Sequence, residues 1–405
     1  MSIQKKTFCK YPFTSIAPKT FEASGKLRTF WPCCMMGNDA VVDNNKLGIY
    51  EDVSDLSPLE MFEHPRMDEL RENLKNGIRD KACQVCWDQE DRGLQSFRQQ
   101  DLDNTTDEEI QDLAENPRVE IIDTHVNNAC NLRCRMCDPS ASSQLKKDNN
   151  YFIKNNHTRD LSEAVSGRWT TTKNNFRMED VSQWQWIHDN TDKFKVLKLS
   201  GGEPFYNPKV IDFLHKCIAN GTNKNITLEF HTNGTLFDSG LLFLLEQFET
   251  NFNISIDGQG KTYEYVRYPM SWNQLNFSIR NFVKKIKPQH LHISFIPMIY
   301  NIFNIKDFVT WGNSLDTQIL YHWAEVYPED RGVSLIHLPI DLLEKAKEQL
   351  AFLEDDQLVN IIQDAIIRND EDKEKALLEI TLFDKSRNQN FEDYLDEDIV
   401  KWLKT

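Results

Sequence analysis

The sequence contains no run of roughly 18 or more apolar residues, the length a bilayer crossing requires, so nothing in it reads as a membrane span. Its first residues, Met1-Ser2-Ile3-Gln4-Lys5-Lys6, lack the apolar stretch of a secretory signal, and the expected location is the cytoplasm. Positive charge is in short supply. There are 47 Lys and Arg against 63 Asp and Glu, a formal net charge of -16, which disfavours broad adhesion to nucleic acid and leaves only a local basic groove for it. No internal repeat is present. What remains is a globular composition, with 40% hydrophobic and 27% charged residues in a chain of 405. That length suffices for one large domain with a smaller one, or for two to three ordinary domains.

The nine cysteines, in a reducing compartment, read as metal ligands, catalytic groups or core residues rather than disulfides. Cys9, Cys33, Cys34, Cys83 and Cys86 form one group, Cys130, Cys134 and Cys137 a second, and Cys217 stands alone on an apolar helical stretch. Between the first two groups, residues 99–109 are polar and acidic with few apolar anchors and read as a linker, helical at most. From residue 118 onward, short apolar or alternating runs at 119–126, 196–199, 226–230, 252–256, 291–299 and 318–326 predict six strands, with helices between them at 208–219 and 241–248. Strand and helix in alternation call for a parallel sheet with right-handed crossovers. The connection over 138–194 is too long for a simple loop and is expected to hold several helices. After Pro339, Leu342, Leu343, Ala346, Leu350 and Leu353, then Leu358, Ile361, Ile362, Ala365 and Ile366, recur at helical spacing, and the acidic residues beside them read as a solvated face.

Cys130-Asn131-Leu132-Arg133-Cys134-Arg135-Met136-Cys137 follows directly on the first of these six strands, spaced C-x3-C-x2-C. Three thiolates within eight residues can face one point, and three ligands on a four-iron cluster leave one iron open for chemistry. A zinc loop borrowing a fourth ligand such as His125 is the alternative that spacing alone allows. Ser200-Gly201-Gly202-Glu203-Pro204 ends the next strand, where two glycines let a ligand approach the backbone. His231-Thr232-Asn233-Gly234 and Ser255-Ile256-Asp257-Gly258 end later strands, although Thr-Asn-Gly and Asp-Gly are also ordinary turn residues.

The cysteine loop after one strand and Gly-Gly-Glu-Pro after the next resemble the radical SAM superfamily, over roughly residues 118 to 330. The resemblance implies an α/β fold: a partial (β/α)6 TIM-like barrel with its active site at the C-terminal ends of the strands. It implies that Cys130, Cys134 and Cys137 ligate a 4Fe-4S cluster whose fourth iron is chelated by S-adenosylmethionine (SAM). A flavodoxin- or ferredoxin-type reductant would then drive cleavage of SAM to methionine and a 5'-deoxyadenosyl radical. Gly201, Gly202 and Glu203 look like the edge that receives the methionine amino group, and Asn233 and Ser255 like polar contacts to the rest of SAM. Met136 stands where many family members carry an aromatic residue against the adenine.

Cys9-Lys10-Tyr11-Pro12, Gly25, Trp31-Pro32-Cys33-Cys34 and Cys83-Gln84-Val85-Cys86 offer four ligands and a spare, suited to zinc or an iron-sulfur cluster. The pattern resembles the auxiliary-cluster modules called SPASM and twitch, which implies an auxiliary 4Fe-4S cluster on Cys9, Cys33, Cys83 and Cys86, with Cys33 and Cys34 both open as the second ligand. In the best-known relatives such a module follows the barrel, whereas here it precedes it. Leu382-Phe383-Asp384-Lys385-Ser386-Arg387-Asn388 is similar to tails of twitch-containing proteins, or is an ordinary salt-bridged helix turn. The expected organisation is therefore an auxiliary module at 1–98, a linker at 99–117, a radical SAM core at 118–330 and a helical segment at 331–405.

The leading expectation is an enzyme that abstracts hydrogen from a peptide or small-molecule substrate, with the absence of a leader-binding segment ahead of Cys9 weighing against the peptide. Tyr321, His322, Trp323 and Glu325 on the last strand, and Tyr263 and Arg267 after Gly258, are further residues that could face a substrate or simply pack. The rival is a non-catalytic zinc or iron-sulfur protein that docks a partner through its acidic C-terminal helices. A SAM-dependent RNA modifier is disfavoured by the net charge.

Overall fold

The structure is a computed structural model that describes residues 5–20, 27–37, 53, 55–103, 105–139, 141–160, 182–326 and 331–405. Gly25 and residues 161–181 of the long connection lie outside the described residues. Among the described residues there are eight strands: β1 Ser15–Thr20, β2 Leu27–Trp31, β3 Ile121–His125, β4 Val196–Ser200, β5 Thr227–Thr232, β6 Glu249–Ser255, β7 Leu291–Phe295 and β8 Leu320–Trp323. The six expected strands appear as β3 to β8. The eight strands are hydrogen-bonded in the order β2-β1-β3-β4-β5-β6-β7-β8. Pairing is parallel from β1 to β3 to β4 and from β6 to β7 to β8, and antiparallel within the β1–β2 hairpin.

The chain divides into two compact units. The first comprises residues 1–127, 174–201 and 207–229. Here the stretch expected to be a linker is folded: helices run over Phe97–Leu102 and Asp107–Glu115, each opened by a capping box, Ser96 with Gln99 and Thr106 with Glu109. Ile110, Leu113 and Ala114, one face at i, i+3 and i+4, pack on the stacked rings of Phe8 and Phe13. Three apolar positions among many acids make too thin a signal for composition to reveal, yet they suffice to anchor a helix. The N-terminal region also adds β1 to the sheet, with Ser15 and Ile16 in register with Ile121 and Ile122.

The second unit comprises residues 128–173, 202–206 and 230–405. Along β6, Phe252 and Ile254 are buried while Asn253 and Ser255 on the opposite face are half-buried, the alternation a sheet with one apolar face requires. Phe252 stacks edge-on with Phe282 from the helix Trp272–Lys285, and Phe237 stacks on the same ring. The expected C-terminal helices are Ile340–Leu350, Asp356–Ile367, Lys373–Arg387 and Glu397–Lys404. They bury the spaced residues Leu343, Ala346 and Leu350, then Leu358, Ile361, Ile362 and Ala365. Among the described residues no helix is long and apolar enough to cross a membrane.

Candidate active site

In the second unit, Cys130 and Cys134 are buried and Cys137 half-buried, packed with Leu132, Met136 and Met270. The loop that carries them has little regular structure, so its backbone polar groups are satisfied from outside. Arg133 N donates to Tyr268 O at 2.7 Å, Arg135 N to Val266 O at 2.9 Å, and Ser142 Oγ to Leu132 O at 2.6 Å. Arg331 donates to the carbonyls of Arg135 and Met136 at 2.7 and 2.5 Å, and pairs with the buried Glu379.

The loop's own arginines point the other way, Arg135 to the helix Lys373–Arg387 and Arg133 to Asp148 on the helix Lys146–Lys154. Arg135, with no exposed surface, donates to Asp384 at 2.5 Å and Gln389 at 3.0 Å, and its guanidinium lies 3.5 Å from the centroid of Tyr265. Arg133 and Arg387 share the fully buried Asp148, at 3.3 and 3.1 Å. The 382–388 stretch is thus more than a salt-bridged helix turn: Asp384 and Arg387 fasten the cysteine loop and its flank. The sequence signal for this was the Arg between each pair of cysteines.

The thiols differ among themselves. A hydrogen bond from Cys137 draws the Cys134 thiol down to about 7 and raises that of Cys137, while burial pushes Cys130 up to about 12. The loop therefore holds its first negative charge at Cys134.

Gly201 and Gly202 let the backbone of residues 127–129 pass close by. Gly201 has φ +132°, and a Cβ there would lie 2.4 Å from Asn127 O. At Gly202 a Cβ would lie 2.2 Å from Ala129 O, so only glycine admits the strand that leads into Cys130. Glu203 is 1% exposed and its carboxylate accepts from Thr232 Oγ1 and Asn233 N, both at 2.7 Å, and from Phe205 N at 3.2 Å. Burial outweighs these donors and raises it to about 7. Asn233 is turned toward the loop: its Nδ2 donates to Asn131 Oδ1 at 2.9 Å and approaches Cys130 Sγ at 3.9 Å, while its Oδ1 accepts from Thr235. Ser255 stands half-buried at the end of β6, paired in register with Ser294.

Asp257 and Arg267 are a buried ion pair, and Arg267 Nη1 reaches Cys134 Sγ at 3.8 Å. The last strand splits by face. His322 joins Ser294 and Asn253 through hydrogen bonds of 3.0 and 2.6 Å, whereas Tyr321 and Trp323 stack on each other and on Phe308 and Phe295 as core. Glu325 pairs with Arg368. Burial, together with His292 and His231, keeps His322 neutral by lowering its pKa. The hydrogen-bonding row Asn253–Ser294–His322 was missed in the sequence because each member lies on a different strand.

In the first unit, a space of about 340 Å³, partly open to solvent, is lined by Cys9, Cys33, Cys83 and Cys86 together with Tyr11 and Arg98. Four segments deliver the thiols: the N-terminal turn, the exit of the β1–β2 hairpin, the short helix Lys81–Cys83, and the helix Gln84–Asp91. Cys34 is exposed and outside the lining. Burial raises the thiols of Cys9, Cys33 and Cys83 far above their ordinary range, each thiol adding to its neighbours' shift, and raises Cys86 less. Arg98 counters this at Cys9, Cys83 and Cys86; it is fixed by Glu90 at 2.7 Å and by Phe8 O at 2.7 Å, and lies 4.9 Å from the ring of Trp87. Cys217 is buried on the helix Pro208–Ala219, as core.

Comparison with curated protein sequences gave no match. Among solved structures, anSMEcpe with bound AdoMet shares 13% identity at a TM-score of 0.39, covering 58% of this chain and 59% of that one. SuiB of Streptococcus suis bound to S-adenosylmethionine shares 14% at 0.35, covering 77% and 52%. TYW1 with a lysine-pyruvate adduct shares 17% at 0.29, covering 58% and 71%. The chain thus spans just over half the length of the first two. The family model that matches, that of the radical SAM superfamily, covers residues 124–310, just under half of the chain.

Proposed function

We propose that this chain is a radical SAM enzyme that binds a 4Fe-4S cluster through Cys130, Cys134 and Cys137, cleaves SAM reductively and abstracts hydrogen from a substrate carbon. The observation that carries this reading is the C-x3-C-x2-C loop directly after β3, inside the stretch that matches the family. The donor set fits the group: three thiols within eight residues, one of them drawn down to about 7, leave one iron for SAM. When bound, the cluster supplies the electron that breaks SAM into methionine and a 5'-deoxyadenosyl radical. The chain's residues do the rest. Arg331, Arg135 and Asp384 hold the loop in shape, Asn233 braces Asn131 beside Cys130, and the Gly201-Gly202-Glu203 edge and the Ser255 hydroxyl contact SAM.

Cys9, Cys33, Cys83 and Cys86 hold an auxiliary 4Fe-4S cluster in this reading, one that passes electrons during turnover. Supporting this reading is the space that the four thiols line, with Arg98 beside them to offset thiolate charge. The substrate is a peptide or a small molecule, the reductant a flavodoxin or ferredoxin, and the compartment the cytoplasm, in keeping with nine free cysteines. Asn253, Ser294 and His322, uncharged and hydrogen-bonding, suit a polar substrate.

The test is anaerobic reconstitution with iron and sulfide, then incubation with SAM and dithionite. Formation of 5'-deoxyadenosine is expected. Full iron uptake at the Cys130 loop without deoxyadenosine would refute the activity.

A further inference from the structure

Arg267 caps the C-terminal end of the helix Gly260–Val266 and is 7% exposed. Its guanidinium has two neighbours of opposite kind. Nε donates to Asp257 Oδ2 at 2.6 Å, with Nη2 on the same carboxylate, while Nη1 points to Cys134 Sγ at 3.8 Å. Asp257 is itself fully buried and held from behind: its Oδ1 accepts from Ile296 N at 2.7 Å, and its main-chain carbonyl accepts from Asn301 Nδ2 at 3.3 Å. A pair that only braced the fold would have no need to turn a third donor to sulfur. The same positive charge also acts on Cys137 and Glu203. Beside it lies the fully buried Tyr263.

We infer that Arg267 is a positioning residue that sets the reduction potential of the cluster held by Cys130, Cys134 and Cys137, with Asp257 fixing its direction and moderating its charge. The inference rests on the reading that this loop holds a 4Fe-4S cluster. Such a cluster gains a negative charge when it takes up an electron, and hydrogen bonds to its sulfurs and nearby charge set its potential. In a water-poor interior a cation donating to a ligand sulfur favours the reduced form far more than it would in solvent. Arg267 would thus ease the one-electron reduction that must precede SAM cleavage.

The test is a redox titration followed by electron paramagnetic resonance on the anaerobically reconstituted full chain, comparing wild type with Arg267→Gln, Arg267→Lys and Asp257→Asn. The midpoint of the SAM-responsive cluster is expected to move to more negative potential in Arg267→Gln, less far in Arg267→Lys, and to more positive potential in Asp257→Asn. The potential of the Cys9 site should stay put in all three. An unmoved midpoint in Arg267→Gln with full iron content would overturn the inference. If that variant does not fold or load iron, unmoved midpoints in both of the others would do the same. A wild type that shows no SAM-responsive cluster would overturn the underlying reading as well, and so is told apart from failure of the inference alone.

Discussion

The two cysteine sites assemble their thiols in opposite ways. The Cys130 loop takes three from eight consecutive residues and is shaped from outside, by Arg331 on its carbonyls and by Asp384 and Asp148 on its arginines. The Cys9 site gathers four from segments spread over residues 9 to 86, and its thiols converge because the β1–β2 hairpin and two short helices place them around one cavity. The first is a local motif that needs distant support, the second a distant assembly whose support is local. A buried cation stands at each: Arg267 at Cys134, and Arg98 beside Cys9, Cys83 and Cys86.

The largest effect expected from breaking this contrast is at Cys134. Cys134→Ala should abolish 5'-deoxyadenosine formation while the N-terminal site keeps its iron, so that about half of the total remains; full activity would show the loop is not the site. Next comes the choice between neighbours. Cys33→Ser should remove the N-terminal iron, about half of the whole, and Cys34→Ser should remove none, as read by iron analysis of the purified proteins; equal losses would mean the cavity lining does not define the ligands. The support of the loop is then tested by Asp384→Ala, which leaves Arg135 buried without its carboxylate. A loss of about 3–5 kcal/mol in urea unfolding is expected, together with weaker iron retention at the Cys130 loop.

The smallest effect is one of reactivity in the metal-free protein. With its thiol near 7, Cys134 should reach its plateau of alkylation rate by about pH 8, whereas Cys9, Cys33 and Cys83, raised by burial, should still be gaining rate at pH 9. Site-resolved mass spectrometry checks this, and parallel pH profiles would contradict the asymmetry.

The contrast also explains what could be read beforehand. Strands β3 to β8 were legible because alternation such as Leu228/Phe230 against Glu229/His231 is written in the local sequence. The cysteine loop was legible for the same reason. The arginines between the cysteines gave no hint of direction, since their partners Asp384 and Asp148 lie far along the chain or outside the motif. Gly201 and Gly202 read as a place where a ligand approaches the backbone, and the close passage of residues 127–129 beside them is set by chain far from the motif's own letters. Cys33 and Cys34 were indistinguishable because neighbouring residues at the end of a strand differ only in which way the turn sends them, and the turn leaves Cys34 in solvent. The stretch 99–117 hid a packed helix behind its charge.

The most direct measurement is iron and sulfide content with electron paramagnetic resonance after anaerobic reconstitution, recorded with and without SAM. About eight irons, with one of two signals perturbed by SAM, is the predicted result. Zinc in place of iron, or iron whose spectrum ignores SAM, would contradict the account and favour a metal-binding protein without radical chemistry.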